Sequence, residues 1–131
     1  MMAGLRRTAL GGTVVAMLLW TEALAAQASP PVPGDSSRGE QLFRRNCAQC
    51  HALTENRTGP RLGDVYGRAV ATVPGFRYSG AITSQSFAWS DTTLDAWLAG
   101  PRDFIRGAAM PARLRDRRER ADVIAYLRTL R

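Results

Sequence analysis

The sequence predicts an all-α domain with much irregular chain between its helices. Three segments carry apolar residues at helical spacing between recognisable caps, whereas no segment alternates apolar and polar residues as a half-buried strand would. Glycine and proline are dense across residues 51–80, which predicts a long loop. A loop of that length is unusual in a small domain unless it wraps a ligand. The pattern therefore indicates a helical domain built around a cofactor.

The first 28 residues have the organisation of a secretory signal peptide. Arginines at positions 6 and 7 precede an apolar run over residues 9–20, and small residues precede two candidate cleavage sites, after Ala25 or after Ala28. Because the run is shorter than the roughly 20 residues that span a membrane, we expect cleavage and a periplasmic protein. A membrane anchor formed by an uncleaved N-terminus is the alternative. Residues 29–34 are then a proline-rich linker, and residues 35–131 are one domain.

The first predicted helix covers residues 37–48. Ser37 and Glu40 fit a capping box at its start, with Asp35 as the alternative cap. In the loop that follows, one helical turn is expected near Gly63–Tyr66. The apolar face of the helix is predicted to carry Gly39, Leu42, Phe43 and Cys47.

Two further helices are predicted in the second half of the chain. The second helix is expected to begin with Asp91 or Thr92 as N-cap and to end at residues 100–101, which are Gly-Pro. Asp116 and Glu119 fit a capping box at the start of the third helix. Its apolar stripe is predicted to comprise Val123, Ile124, Leu127 and Leu130, with Tyr126 beside it.

The chain is strongly basic, with a net charge of +7, and all its basic residues except the single histidine are arginines. A basic balance is compatible with nucleic-acid binding, but an exported protein rarely meets nucleic acid. An acidic protein partner or an anionic membrane surface is therefore the better interpretation.

Both cysteines and the only histidine lie within the pentapeptide Cys47–His51. Structural zinc needs four ligands, and the chain offers only these three soft or imidazole ligands. A thioredoxin-like pair precedes a helix in a βαβ unit, whereas these cysteines follow a predicted helix. A disulfide here would close too small a loop to add much stability. Cys-x-x-Cys-His is typical of covalent haem attachment, with Cys47 and Cys50 forming thioethers and His51 binding the iron.

Met110 is the candidate for the other axial ligand. Low-spin cytochromes place His or Met opposite the first histidine, and this chain has no second histidine. The other three methionines lie in the predicted signal peptide. Met110 follows the second helix in a Gly/Pro-punctuated loop, which suits a metal ligand; filling a gap in the core is the alternative role.

Five segments, in their order along the chain, resemble motifs of the class I c-type cytochromes, the small monohaem electron carriers. They are GDSSRGEQLFRRNCAQCHAL, TGPRLGDVYGR, PGFRYSGAI, LDAWLAGPRDFIRGAAM and ADVIAYL. The resemblance covers nearly all of residues 34–131. It implies the cytochrome c fold, in which the N- and C-terminal helices cross while a third helix and long loops wrap one covalent haem c.

The resemblance also implies roles for residues outside the pentapeptide. Gly39 and Phe43 on the first helix and Tyr126 on the last match the family's helix crossing, where a glycine lets an aromatic ring pack against the backbone. Pro60 matches the position whose carbonyl accepts the other N–H of the iron-binding histidine, here His51.

Three more positions match residues that bind or neutralise a buried haem propionate: Arg68, Tyr78 and Trp89. Trp97 stands beside the ligand methionine, where many members have tyrosine. Three further positions differ from common family residues: Ile82, Arg106 and Ala109.

The resemblance implies a one-electron carrier rather than an enzyme, working between a membrane or periplasmic donor and an oxidase, reductase or photosynthetic acceptor. We expect a monomer without a membrane span, docking on acidic patches of redox proteins. A dedicated haem subunit of a periplasmic dehydrogenase is one alternative. A haem enzyme or gas-binding protein with an open distal site is another, which ligation by Met110 would exclude. Candidate docking residues are Arg61, Arg102, Arg106 and Arg113.

Overall fold

A computed structural model describes residues 32–130 of the chain. The predicted signal peptide, residues 1–28, and the start of the predicted linker lie outside the described residues. The described residues form no strand beyond an isolated bridge between Ala69 and Ala88, so the all-α prediction is confirmed. No helix among them is long and apolar enough to cross a membrane. Their helices are α1 (Ser36–Asn46), α2 (Gly80–Thr83), α3 (Asp91–Ala99), α4 (Pro101–Phe104) and α5 (Arg117–Thr129).

Helix α1 begins one residue earlier than predicted, and its cap is Asp35 rather than Ser37. The Asp35 carboxylate accepts hydrogen bonds from the backbone N–H groups of Ser37 and Arg38. The predicted capping box is therefore wrong, because Glu40 pairs with Arg44 one turn along the helix at 2.5 Å. At the other end the helix stops at Asn46, so Cys47 is its C-cap rather than part of its buried face.

The loop of residues 51–80 contains turns but not the helical turn predicted near Gly63–Tyr66. The Val65 N–H bonds to the Leu62 carbonyl at 3.2 Å, which closes a single tight turn. The first helical turn after α1 is α2, which the sequence analysis did not predict. A four-residue helix is too short for periodicity to reveal.

Helix α3 is capped by Ser90, not by Asp91 or Thr92 as predicted. Ser90 and Thr93 form a reciprocal capping box, since each side chain bonds to the backbone N–H of the other. The predicted end at residues 100–101 is confirmed. Pro101 then opens α4, because proline is well suited to the first position of a helix.

Helices α1 and α5 cross in close contact, as the resemblance implied. A Cβ at Gly39 would lie 1.9 Å from the Asp122 carbonyl oxygen, so only glycine permits this approach. The rings of Phe43 and Tyr126 pack beside the crossing, with centroids 5.5 Å apart. Asp116 caps α5 as predicted, accepting from the N–H groups of residues 118 and 119, but no bond from the Glu119 side chain completes the predicted capping box among the described residues.

Two hydrophobic clusters make up the core. The larger joins α1, α3 and α5 and contains Leu42, Phe43, Val65, Leu94, Leu98, Leu114, Val123, Ile124 and Leu127. The smaller contains Val70, Ile82, Ile105 and Ala108. Trp89 and Trp97 pack against both clusters. These two indoles therefore lie where the halves of the core meet.

Candidate functional site

A cavity of about 350 Å³ lies between the two clusters and opens to solvent. Apolar side chains of the larger cluster, including Phe43, Leu94 and Leu98, form part of its wall. Its size is in the range of sites for small molecules and cofactors. All the side chains predicted at the site line it: Cys47, Cys50, His51, Pro60, Arg68, Tyr78, Trp89, Trp97 and Met110.

The His51 imidazole is held on one edge of this cavity. Its Nδ1 lies 2.7 Å from the Pro60 carbonyl oxygen and donates a hydrogen bond to it. Burial lowers the pKa of His51, although the bond to Pro60 opposes the shift. A neutral imidazole with its proton on Nδ1 leaves Nε2 with a free lone pair, which is the form that binds a metal.

The cysteines leave α1 in a tight turn. The N–H groups of Cys50 and His51 both bond to the Cys47 carbonyl, at 3.0 and 2.9 Å. Burial, together with the neighbouring Cys50, raises the pKa of the Cys47 thiol to about 11. Redox-active thiols of the thioredoxin type need a lowered pKa. This environment therefore does not favour the thiol-disulfide alternative.

Met110 lies on a loop that is anchored at both ends. Before it, Gly107 takes the left-handed conformation at φ 88°, and the buried Ala108 donates to the Ile105 carbonyl at 3.0 Å. After it, the Leu114 N–H bonds to the Leu98 carbonyl at 2.7 Å. Met110 itself is half-buried, lines the cavity and belongs to neither hydrophobic cluster. Its position does not match the core-filling alternative.

Polar side chains with defined hydrogen-bond partners also line the cavity. Arg68 is mostly buried, pairs with Asp64 and donates to the Arg61 carbonyl at 3.0 Å. The Tyr78 hydroxyl accepts from the Val73 N–H at 3.3 Å. These contacts fix an arginine and a phenol at the cavity surface.

Ser79 is a further polar residue of the cavity, and no motif in the sequence predicts a role for it. Its hydroxyl is buried, lines the cavity and has no hydrogen-bond partner among the described residues. Such a group costs about 1–3 kcal/mol unless a ligand satisfies it. The only signal in the sequence was its place beside Tyr78 in PGFRYSGAI.

The indoles of Trp89 and Trp97 meet edge to face, with centroids 5.6 Å apart. Phe87 also packs edge to face against Trp89, with ring centroids 5.1 Å apart. Both indoles line the cavity, so they form a rigid aromatic wall between the two clusters.

The four arginines predicted to dock partners have different surroundings. Arg61 pairs at 2.5 Å with Asp64, a carboxylate that it shares with Arg68. Arg102, Arg106 and Arg113 are exposed, and within residues 32–130 no ion pair or hydrogen bond involves their side chains.

The chain's own groups fit a haem in this cavity. The walls are apolar, a histidine and a methionine side chain line the same space, and two thiols lie at its edge. The unpartnered Ser79 hydroxyl beside Tyr78 suits an oxygen of a buried carboxylate, such as a propionate. By contrast, the described residues contain no group of three or more His, Cys, Asp or Glu side chains that could hold a metal ion directly.

Comparison with known proteins agrees with this fit. The profile of the cytochrome c family matches residues 36–131. Cytochrome c of Euglena viridis is 40% identical over 101 residues, covering 75% of this chain and 99% of the relative. Cytochrome cy of Rhodobacter capsulatus is 41% identical over 101 residues, covering 76% of this chain and 51% of the relative.

A solved structure supports the same assignment. The structure of cytochrome cH from Methylobacterium extorquens aligns with a TM-score of 0.70 at 33% identity, covering 73% of this chain and 99% of the other. The cytochrome c fold, the covalently bound haem c and an electron-transfer role rather than enzymatic activity follow from these matches. The chain belongs to the cytochrome c family and is a monohaem electron carrier.

Proposed function

We propose that this protein is a periplasmic one-electron carrier in which Cys47 and Cys50 would hold a haem through thioethers and His51 and Met110 would bind its iron. When bound, the haem iron supplies the one-electron couple between Fe(II) and Fe(III). The observation that carries the proposal is that one cavity is lined both by an imidazole oriented by Pro60 and by a thioether that belongs to neither hydrophobic cluster.

The chain's residues then set the properties of the site. The bond from His51 to the Pro60 carbonyl fixes the ring orientation and raises the basicity of Nε2. The Met110 thioether favours the reduced state, and the apolar walls exclude water, which raises the potential further. Arg68, Tyr78 and Ser79 are proposed to balance and hydrogen-bond a buried propionate carboxylate.

Replacing Met110 by leucine tests its axial bond against the core-filling role. Leucine keeps the volume and the apolar character, so a core-filling methionine would tolerate the change. A ligand methionine would not: we expect M110L to lose the near-infrared band that arises from sulfur-to-ferric-iron charge transfer and to gain carbon monoxide binding. Unchanged spectra in M110L would contradict the ligation. Ready carbon monoxide binding by the wild type would favour the gas-binding alternative.

The intact mass of the protein purified from periplasm tests export and haem attachment together. We propose cleavage after Ala25 or Ala28, so the expected mass is that of residues 26–131 or 29–131 plus one haem. A mass that includes residues 1–28, with the protein in the membrane fraction, would instead support the anchored alternative.

We further propose that electrons pass to and from redox proteins with acidic docking faces. The net charge of +7 and the exposed arginines Arg102, Arg106 and Arg113 support this, because long-range attraction raises association rates. Electron exchange with such a partner should slow steeply as ionic strength rises. A flat salt response would remove electrostatic docking from the proposal.

A further inference from the structure

Arg120 joins three parts of the fold through one side chain, which is only 11% exposed. From its place on α5, its Nε donates to the Asp95 carboxylate on α3 at 2.7 Å. Its Nη1 donates to the backbone carbonyls of Leu114 and Arg115, at 3.1 and 2.9 Å. Hydrogen bonds from a charged donor are stronger than neutral ones, and burial strengthens them further. The guanidinium therefore fixes the segment before α5 against α3.

The segment that Arg120 holds follows closely after Met110. In the described part of the chain, residues 109–113 make no backbone–backbone hydrogen bond. The next residue, Leu114, is buried in the larger cluster, and its N–H bonds to the Leu98 carbonyl at 2.7 Å. Leu114 is thus held at its N–H by α3 and at its carbonyl by Arg120. Since it is the nearest anchor after Met110, the position of the thioether depends on it.

Asp95, the carboxylate partner of Arg120, lies on the helix that forms part of the cavity wall. Leu94 and Trp97, on either side of Asp95 in α3, both line the cavity. The ion pair therefore ties the end of the Met110 loop to that wall.

A second arginine of α5 provides a matched comparison. Arg128 also forms an ion pair with α3, through the carboxylate of Asp91. Its guanidinium lies over the Tyr66 ring, 5.2 Å from the centroid, whereas the guanidinium of Arg120 bonds to carbonyls of the Met110 loop. Removing either arginine takes one charge from α5 and one ion pair from its contact with α3. Only the removal of Arg120 also takes away the bonds to the loop.

We propose that Arg120 is a positioning residue for Met110, which limits how readily the thioether would leave the haem iron. This rests on the axial role proposed for Met110 above and names a residue that controls it. A ligand carried on a loop competes with external ligands for its metal, and the outcome depends on the fraction of molecules whose loop is open. Loss of the Arg120 bonds raises this fraction, so an external ligand binds with higher apparent affinity.

The R120Q and R128Q variants of the holoprotein test this role. Imidazole is titrated into the ferric protein, and its binding is followed by loss of the near-infrared sulfur band. We expect imidazole to bind R120Q about tenfold more tightly than the wild type, and R128Q to stay within about twofold of the wild type. Equal affinities in the two variants, or tighter binding by R128Q, would overturn the positioning role.

Amide hydrogen exchange gives a readout that does not depend on the iron ligand. The Leu114 N–H reports opening of the loop, whereas the Phe43 N–H, in the middle of α1, reports opening of the core. Relative to Phe43, we expect Leu114 to exchange about tenfold faster in R120Q than in the wild type, and R128Q to change this ratio by about twofold or less. If R120Q accelerated both amides equally, Arg120 would have only a general structural role and the proposal would be overturned.

The same measurements separate this inference from the proposed function. Absence of the near-infrared band in the wild type would contradict ligation by Met110, whereas a selective effect of R120Q on Leu114 exchange would still support Arg120 as the anchor of the loop.

If R120Q does not fold, R120K takes its place. Lysine keeps the charge and can pair with Asp95, but an ammonium group does not reproduce the planar fork that also reaches the two carbonyls. We expect R120K to bind imidazole about threefold more tightly than the wild type. Wild-type affinity in R120K would overturn the role assigned to the guanidinium.

Discussion

Gly59 leaves free the space that the His51 imidazole fills. A Cβ at position 59 would lie 2.2 Å from Cε1 and 2.5 Å from Nδ1 of that ring. The next residue, Pro60, supplies the carbonyl that holds Nδ1. Two adjacent residues thus orient the imidazole, one through the space it leaves and the other through a hydrogen bond.

Replacing Gly59 by alanine should displace His51. The added methyl group overlaps the ring, so we expect a loss of about 1–3 kcal/mol in the free energy of unfolding and a partial loss of the low-spin absorption spectrum. Gly80 is a matched control, because a Cβ there meets nothing within 4 Å. If G59A had the same spectrum and the same stability as G80A, the position of the His51 imidazole would not depend on its contact with residue 59.

Ala71 has a side chain at a position whose backbone conformation favours glycine. It is the one non-glycine residue with positive φ in the described chain, at 60°. Relief of this strain outweighs the extra freedom of glycine in the unfolded chain, so A71G should be more stable by about 0.5 kcal/mol. Ala69 has ordinary φ, and A69G should lose stability in the same denaturant titration. If A71G were no more stable than the wild type, the backbone at position 71 would not be strained.

The crossing of α1 and α5 depends on contacts at the scale of whole helices. Besides the backbone approach at Gly39, the buried carboxylate of Asp122 accepts the Asp35 N–H at 2.7 Å and the Arg38 Nε–H at 3.1 Å. The start of α1 is therefore tied to the middle of α5 by hydrogen bonds that include one from a charged donor.

G39A should force these two helices apart. Alanine is the better helix former by about 1 kcal/mol, yet its Cβ would lie 1.9 Å from a backbone oxygen that cannot move alone. We expect a net loss of about 2–4 kcal/mol in the free energy of unfolding, measured by denaturant titration of the holoprotein. A result within about 0.5 kcal/mol of wild type would mean that the crossing can shift freely.

The Asp35 cap of α1 makes the stability of the protein depend on pH. The hydrogen bond from the Arg38 N–H, with that from Ser37, holds the pKa of Asp35 below its ordinary value of 3.8. Because the folded pKa is the lower one, the stabilisation is present above pH 3.8 and is lost as pH falls through the folded value. D35N keeps an acceptor but cannot titrate, so its stability should fall less than that of the wild type below about pH 4. If the free energy of unfolding of D35N and of the wild type changed in parallel from pH 2 to 6, the Asp35 carboxylate would not cause this pH dependence.

The whole molecule is organised around the cavity. Its two hydrophobic clusters share Trp89 and Trp97 as packing partners, and side chains of both face the cavity, including Leu94 and Ile82. A domain of about 100 residues buries only a small hydrophobic core. A group that fills this cavity therefore contributes a large share of the stability.

Removal of the haem should therefore unfold most of the domain. We expect C47S/C50S, produced without covalent haem, to lose most of its helical circular dichroism and to melt without a cooperative transition. The holoprotein carrying S37A, a substitution at an exposed position, serves as a cooperative reference. If haem-free C47S/C50S had native helix content and melted cooperatively, the two hydrophobic clusters would be sufficient to fold the domain without haem.

Several features were accessible from the sequence because they depend on residues close together in the chain. The pentapeptide Cys47–His51, the cap at Asp116 and the end of α3 at residues 100–101 all arise from local spacing. The residue that caps a helix is harder to predict where several neighbouring residues could serve as the N-cap. Asp35, which the sequence offered as the alternative cap, caps α1, whereas Ser90, which was not among the candidates, caps α3.

Other features depended on segments that only folding brings together. The haem motif, the helical class and the single candidate methionine could be read before folding, since composition and short-range periodicity specify them. The folded chain is needed to show that the Ser79 hydroxyl is buried with no partner among the described residues and that Arg61 has an ion-pair partner there while Arg106 has none. Burial and ion pairing depend on which distant residues become neighbours, and spacing along the chain does not encode that.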